Sequence, residues 1–215
     1  MKIVKVGYIT DLNQREILGG MLLTELINKY TVDAVLIGGD CNLDPEDLPF
    51  RNKVRYYILS GDKDDIYVTK ASRRQDNLLD GNIIHLNNIV VAGISGLDCY
   101  QTIARLSKIL SNMKKPRVDV LVTHHPPHGC LDLIELLGLR AGLGIIRNLV
   151  IKLKPAAVLT GHLRNRGVCY IGQSLVINPG PAEEGYYAIL EFKNNGLLHS
   201  VSLSKLSMQE RNRKY

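Results

Sequence analysis

Five apolar segments of the chain each end at a side chain that can bind a metal ion. Carboxylate oxygens and imidazole nitrogens together suit a divalent ion such as Mn, Fe, Zn or Ni. Ligands of open α/β sheets bind at the carboxyl ends of strands, so residues far apart in sequence can meet there. A lone Asp after a strand is usually a turn or cap residue, but its recurrence predicts an anion or metal site. The five residues are Asp11, Asp40, Asp62, His124 and His162.

Strand-like and helix-like segments must position these residues. Most strand candidates are uniformly apolar, as in strands buried on both faces, and apolar residues recur at helical spacing in three segments. After residue 165 the helical period disappears, which predicts an antiparallel meander. We expect a large mixed sheet, or two packed sheets, flanked by helices. Strands are predicted at 3–10, 34–37, 54–59, 82–86, 89–92, 118–122, 156–159, 168–171, 175–177, 186–192 and 197–203, and helix faces at 17–30, 103–113 and 143–153.

The composition is that of a globular protein, with 45% hydrophobic and 22% charged residues in a chain of 215. These values exclude a mainly disordered, collagen-like or coiled-coil architecture. We expect one domain over residues 1–206 and a polar, basic tail at 207–215. The absence of a long apolar run or a signal-peptide pattern predicts a cytoplasmic protein that does not enter membranes. Four cysteines without CxxC spacing predict reduced thiols, and a net charge of +6 favours anionic partners.

In their order along the chain, the motifs resemble those of the calcineurin-like metallophosphoesterases. That family carries DxH, GD, GN[HD], a His in an HxP-type loop, and GHxH. The matching segments are Asp11-Leu12-Asn13, Gly39-Asp40, Gly61-Asp62-Lys63-Asp64, His124-His125-Pro126-Pro127 and Gly161-His162-Leu163-Arg164. The resemblance runs from residue 3 to about residue 192 and implies an α/β fold, a four-layer αββα sandwich of two mixed sheets between helices. It also implies metal-activated hydroxide that attacks a phosphate ester.

The resemblance assigns ligands to two metals, and the sequence departs from the first of them. Position 13 is Asn and position 164 is Arg where His is expected, while Asp62 stands where Asn is usual. An amide oxygen is a feeble ligand, and a guanidinium offers only donors, so we expect one metal rather than two. By the resemblance, the first metal would take Asp11, Asp40 and positions 13 and 164, and the second Asp40, Asp62, His124 and His162.

Four residues are candidates for catalysis. Asp40 would bridge the metals, and Arg164 would fill part of the first metal's volume by pairing with Asp11 or Asp40, or would hold a phosphate oxygen. Lys63 stands where the family often places a His that contacts the phosphate, and it would supply charge there. His125, in the proline-rich loop, is expected near the substrate, with His128 as a second candidate. Asp64 is expected to cap the following helix.

The leading hypothesis is a metal-dependent phosphoesterase that acts on a phosphodiester more readily than on a monoester. The substrate would be a phosphorylated small molecule or a nucleic-acid phosphodiester. The alternative is a scaffold or interaction subunit of the same fold with weak or no catalysis, which the loss of two ligand histidines favours. Retention of Asp11, Asp40, His124 and His162 favours the enzyme. A nucleic-acid-binding subunit is a third interpretation. By analogy with small enzymes of this fold, we also expect a homodimer.

Overall fold

The computed structural model describes residues 3–207, and the last eight residues of the predicted basic tail lie outside that range. The helices are α1 (Glu16–Asn28), α2 (Ile66–Arg74), α3 (Cys99–Ser111) and α4 (Gly144–Leu153). The strands are β1 (Ile3–Ile9), β2 (Ala34–Ile37), β3 (Arg55–Ile58), β4 (Ile83–Leu86), β5 (Ile89–Ile94), β6 (Val120–Thr123), β7 (Leu133–Ile134), β8 (Leu139–Arg140), β9 (Ala157–Leu159), β10 (Gly167–Ile171), β11 (Ser174–Asn178), β12 (Tyr186–Lys193) and β13 (Leu198–Lys205).

Within residues 3–207 these strands form two mixed sheets and a separate hairpin of β7 and β8. The first sheet has the order β13-β12-β1-β2-β3, and the second has the order β10-β11-β9-β6-β5-β4. Strands β1, β2 and β3 are parallel, as are β5, β6, β9 and β11, whereas the sheet edges carry antiparallel hairpins. The predicted α/β fold with two packed mixed sheets is confirmed.

Residues that alternate along a strand face opposite sides of its sheet and pack into different cores. Val4, Val6 and Tyr8 of β1 face the second sheet and join a core with residues such as Val120 and Leu159. Ile9 instead joins a core that contains leucines of α1, and the outer face of the second sheet packs against α3 and α4. Each central strand is therefore covered on both faces, which is why these segments are uniformly apolar.

The chain departs from the sequence prediction in its last third. The predicted meander is wrong, because β10 and β11 pair in one sheet whereas β12 and β13 pair in the other. Cys130 and Cys169 form a disulfide, with Cα atoms 6.1 Å apart, so the prediction that all four thiols are reduced is also wrong. Cys41 and Cys99 are free and buried. The boundary of a single domain at residue 206 stays a prediction.

Candidate metal and phosphate site

The ends of five strands converge on one rim of the two sheets. Asp11, Asp40 and Asp62 follow β1, β2 and β3 of the first sheet, and His124 and His162 follow β6 and β9 of the second. Neighbouring parallel strands end at the same edge of each sheet, and the two sheets pack with these edges together, so that Asp11 and His162 are in contact although 151 positions separate them in the chain. The backbone turns sharply at this rim. Asp11, Asp40 and His162 adopt the left-handed conformation, with φ values of 57°, 53° and 65°.

Two glycines allow the loops to approach each other at this rim. A Cβ added to Gly61 would overlap the backbone nitrogen and the carboxylate of Asp40. A Cβ added to Gly39, whose φ is 98°, would lie 2.6 Å from Nδ1 of His124. The residues before Asp40 and Asp62 must therefore lack side chains for Asp40 and His124 to reach their positions.

Four side chains form a cluster with one candidate ligand atom each, and all these atoms lie within 4.8 Å of one another. Nε2 of His124 lies 2.8 Å from Oδ1 of Asp62 and 3.6 Å from Oδ2 of Asp40. Nδ1 of His162 lies 3.3 Å from the same Asp62 oxygen and 3.3 Å from Nε2 of His124. We refer to Asp40, Asp62, His124 and His162 as the cluster.

The donor set of the cluster fits a divalent cation. Oδ2 of Asp40 is buried and accepts no hydrogen bond, with Nζ of Lys63 and Nε2 of His124 at ion-pair distance, and a buried carboxylate oxygen without a hydrogen bond is costly. Two imidazole nitrogens and carboxylate oxygens surround the same space, which is the mixture of ligands that Mn, Fe and Zn bind. A cation held there would satisfy this oxygen of Asp40.

Without a metal ion, the hydrogen bond between His124 and Asp62 controls the pKa values of both residues. Burial alone would lower the pKa of His124, but its hydrogen bond to Asp62 and the charges of Asp11 and Asp40 raise the pKa overall. The same hydrogen bond from His124 holds the pKa of Asp62 well below its usual value. A bound divalent ion would take over the charge that the proton on His124 supplies.

Asp64 fixes the backbone of the loops that carry the cluster, a role that was not predicted from the sequence. Its carboxylate accepts hydrogen bonds from the backbone nitrogens of Asp40 (2.9 Å), Gly61 (2.7 Å) and Asn42 (2.9 Å). The prediction that Asp64 caps the next helix is wrong, because Asp65 is the N-cap of α2 and accepts from the nitrogen of Tyr67. The only sequence signal for these hydrogen bonds is a second acidic residue two positions after Asp62.

Asp11 and Asn13 lie outside the cluster. The Asp11 carboxylate is buried and accepts hydrogen bonds from the hydroxyl of Thr10 and the backbone nitrogen of His162. Burial raises the pKa of Asp11 despite these bonds. Asn13 is exposed to solvent. Of the residues predicted for the first metal, only Asp40 therefore belongs to the cluster.

The cation beside Asp40 is Lys63 rather than Arg164. Nζ of Lys63 lies 3.5 Å from Oδ2 of Asp40, and its backbone nitrogen donates to Oδ1 at 2.9 Å. Arg164 donates instead to the carboxylates of Glu183 and Glu184. The prediction that Arg164 pairs with Asp11 or Asp40 is wrong, because two acidic residues that follow β11 lie closer to its guanidinium.

His125 lies against the cluster, and His128 does not. The ring centroid of His125 is 4.4 Å from that of His162. Burial, and then the charges of His162 and His124, lower the pKa of His125 to about 4, so its imidazole is neutral near neutral pH. His128 is half exposed, and its Nδ1 lies 3.5 Å from a carboxylate oxygen of Asp132.

Comparisons with known proteins agree with the motif resemblance. Residues 104–200 match a family model described as metallophosphoesterase, calcineurin superfamily. The fold is similar to that of TT1561 of Thermus thermophilus, with a TM-score of 0.66 and 16% identity over 95% of this chain and 99% of that one. No curated protein sequence matches the chain.

Two further solved structures share the fold. An archaeal phosphodiesterase has a TM-score of 0.56 and 14% identity, over 94% of this chain and 100% of that one. Vacuolar protein sorting 29 from Cryptosporidium parvum has a TM-score of 0.53 and 14% identity, over 95% of this chain and 98% of that one. The predicted resemblance to calcineurin-like metallophosphoesterases is confirmed.

Proposed function

We propose that this chain, which resembles the calcineurin-superfamily metallophosphoesterases in motifs and fold, is a metal-dependent phosphoesterase that hydrolyses a phosphodiester or a phosphomonoester. The observation that carries the proposal is the cluster of four ligand-type side chains, in which a buried oxygen of Asp40 accepts no hydrogen bond. A site built only for stability would give that oxygen a hydrogen bond as well as the ion pair with Lys63. The archaeal phosphodiesterase of the same fold supports the diester of these two alternatives.

Asp40, Asp62, His124 and His162 would hold the ion, and we propose one Mn, Fe, Zn or Ni ion per chain rather than two. When bound, such an ion lowers the pKa of water and polarises the phosphorus–oxygen bonds of the ester. A second ion would have only the carboxylates of Asp11 and Asp40 among the predicted ligands, because position 13 offers a weak amide oxygen and Arg164 is bonded to Glu183 and Glu184. By the family resemblance, Asp40 is the one residue assigned to both the first and the second metal.

The chain's own residues supply the remaining chemistry. Lys63 places a positive charge beside Asp40, where it attracts a phosphate oxygen and offsets the charge that develops there. The neutral imidazole of His125 can donate a hydrogen bond from one nitrogen and accept one at the other. Because His125 lies against His162, it can orient the ester or pass a proton to the leaving oxygen. Arg164, exposed beside the cluster and paired with acids, is left without a catalytic role.

The substrate is a phosphorylated small molecule or a nucleic-acid phosphodiester. The cytoplasmic location stays a prediction, and the Cys130–Cys169 disulfide is unusual for that compartment. No helix within residues 3–207 combines the length and apolarity needed to cross a bilayer. The basic net charge of +6 favours an anionic substrate in either case. A homodimer stays a prediction.

A scaffold of the same fold is the second candidate. Asn13 and the engagement of Arg164 by Glu183 and Glu184 favour it, since the first metal position then lacks both of its predicted histidine ligands. Vacuolar protein sorting 29 has the same fold. The buried oxygen of Asp40 without a hydrogen bond and the grouping of His124 with His162 favour the enzyme, because a scaffold needs neither.

Hydrolysis of bis(p-nitrophenyl) phosphate with added Mn distinguishes the two candidates. We expect turnover by the wild type and a loss of at least about a hundredfold in Asp40→Asn, because removing a charged ligand removes the activating ion. Asp76→Asn is the matched control, since Asp76 is exposed and lies outside the cluster. Equal rates for the wild type and Asp40→Asn, with turnover only after Asn13→His and Arg164→His are combined, would identify a scaffold.

A further inference from the structure

A cavity of about 770 Å³ opens beside His162. Its volume is within the range of small-molecule sites. One side continues from His162 through residues 163–166, and the opposite side is the segment 131–136 that begins the β7–β8 hairpin. A phosphate ester bound at the cluster therefore has this cavity directly next to its organic group.

Aliphatic side chains form part of the cavity wall, and the charged residues Asp132, Glu135, Arg140, Arg164 and Arg166 line the rest together with Asn165 and His162. The aliphatic side chains that line it are Leu131, Leu133, Ile134, Leu136 and Leu163. Leu133 is 39% exposed and Leu136 is 98% exposed. Single exposed leucines are ordinary, but a group of them that lines a cavity beside a polar cluster is typical of a binding site for apolar groups.

The hairpin that carries this wall is anchored in place. The fully buried carboxylate of Asp132 accepts hydrogen bonds from Arg140 at 2.6 Å and from the nitrogen of Gly129 at 2.7 Å. The disulfide between Cys130 and Cys169 ties the start of the same segment to β10. The leucines are therefore held in position before a ligand arrives, which lowers the entropy lost on binding.

The arginines around the cavity do not form a second anion site. Arg140 is paired with Asp132, and Arg164 is paired with Glu183 and Glu184. The guanidinium of Arg166 lies over the ring of Tyr186, 4.9 Å from its centroid. A polyanion such as nucleic acid needs several cations directed at its phosphates, and two of these three arginines already have acidic partners.

A second cavity, of about 680 Å³, lies on the Lys63 side and has the opposite character. Carboxylates dominate its lining, which contains Glu16, Asp44, Asp47 and Asp65 besides Lys63. Acidic walls repel an anionic ester, although Tyr67 and Val68 also line this cavity. The organic group of the substrate thus has one favourable direction, toward the hairpin.

From these observations we infer that the substrate is a small phosphate ester with an apolar organic group, which the cavity between residues 162–166 and the β7–β8 hairpin binds. The inference rests on the proposed function and deepens it, because it separates an apolar small molecule from a nucleic acid. The phosphate lies at the cluster, and the apolar group replaces water along Leu131, Leu133 and Leu163.

Isothermal titration of the Mn-loaded protein tests the inference without turnover. The probes are inorganic phosphate, methyl phosphate and hexyl phosphate, which differ only in the apolar group. We expect hexyl phosphate to bind at least about tenfold more tightly than methyl phosphate, since each buried methylene adds severalfold affinity. Leu133→Ser should reduce this ratio at least about threefold. Leu197→Ser is the control, because Leu197 is 58% exposed in the β12–β13 turn and does not line the cavity.

Each result has one meaning. Equal affinity for methyl and hexyl phosphate, or an equal loss in Leu133→Ser and Leu197→Ser, overturns the inference and leaves the proposed function standing. Tighter binding of a short oligonucleotide than of hexyl phosphate also overturns it and identifies a nucleic-acid substrate. If none of the phosphates binds, both the inference and the proposed function fail.

Discussion

The backbone nitrogen of His162 donates hydrogen bonds to both carboxylate oxygens of Asp11, at 3.0 and 2.9 Å, across 151 positions of the chain. Asp11 follows β1 in one sheet and His162 follows β9 in the other, so the contact joins the two sheets at the rim that carries the cluster. Asp11 thus fixes the loop of a neighbouring candidate ligand and positions His162 for the cluster.

Asp11→Ala should weaken both folding and metal binding. The change leaves the backbone nitrogen of His162 without its acceptor at a partly buried position, which costs about 1–3 kcal/mol in the free energy of unfolding. A displaced His162 should reduce Mn affinity roughly tenfold. Urea unfolding with EDTA measures the first effect and calorimetric titration with Mn the second.

Asp33→Ala is the matched control for this change. Its carboxylate also accepts a backbone hydrogen bond, from the nitrogen of Lys5, but at an exposed position. Its loss should cost less than about 1 kcal/mol and leave Mn affinity unchanged. Equal effects of the two substitutions on Mn affinity would contradict the role of Asp11.

Lys63→Met should change metal affinity and turnover in opposite directions. The ammonium of Lys63 lies 3.5 Å from Oδ2 of Asp40, so it repels a divalent ion at the cluster by roughly 1–2 kcal/mol in a solvent-exposed position. Its removal should tighten Mn binding about five- to tenfold, yet lower kcat by at least about tenfold, because the phosphate loses a positive charge.

The control for Lys63 is Lys70→Met, which removes an exposed lysine of α2 and should change neither quantity. Mn affinity is read by calorimetry, so this part of the prediction holds even for a protein without turnover. Weaker Mn binding in Lys63→Met would show that the lysine supports the cluster instead of opposing the ion.

The metal-free protein should lose stability through His125 as the pH falls. The pKa of His125 is lowered to about 4 in the folded chain, whereas an unfolded histidine has a pKa of about 6.5. The unfolded state therefore gains its proton first. The contribution of His125 to the free energy of unfolding therefore falls between about pH 7 and pH 4. The partial exposure of the ring screens the effect and limits this fall to roughly 2 kcal/mol.

The difference between the wild type and His125→Gln isolates this effect, because His124 has a raised pKa and acts in the opposite direction over the same pH range. We expect the wild type to lose more stability than His125→Gln when both are unfolded by urea at about pH 7 and pH 5 in EDTA. Parallel losses would mean that His125 is not neutral and buried in the folded chain.

The strands and most of the cluster follow from the sequence, because both depend on local patterns. A strand covered on both faces is apolar throughout, as Ala34–Ile37 shows, and the residue after such a strand must lie at the sheet edge. Asp40 and His124 could therefore be grouped by counting strand ends, without knowledge of which sheet holds each strand.

The partners of long side chains could not be predicted in the same way. Arg164 bonds to Glu183 and Glu184 because the chain returns past it after β11, which the motif around His162 does not reveal. The Cys130–Cys169 disulfide depends on β10 lying beside the loop after β6. The β7–β8 hairpin has two residues in each strand, too few to show a period.

Arg164→Gln should leave Mn stoichiometry and affinity unchanged. The guanidinium is bonded to Glu183 and Glu184 and does not contact the cluster, and exposed ion pairs contribute at most about 1 kcal/mol to stability. Plasma emission spectroscopy of the dialysed protein should find the same metal content as in the wild type. A gain of a second Mn ion in Arg164→Gln would indicate that the arginine does occupy the first metal position.

Replacing both Cys130 and Cys169 by Ser should destabilise the protein and loosen the cavity wall. The disulfide closes a loop of 39 residues, and the chain-entropy model gives about 3–4 kcal/mol for that length. Because the bond ties Leu131 and the hairpin to β10, its loss should also reduce the preference for hexyl over methyl phosphate. Urea unfolding and calorimetry measure the two effects, with Cys99→Ser, a change at a free cysteine in α3, as the control. An unchanged preference for hexyl phosphate in a destabilised double variant would show that Asp132 and Arg140 hold the hairpin without the disulfide.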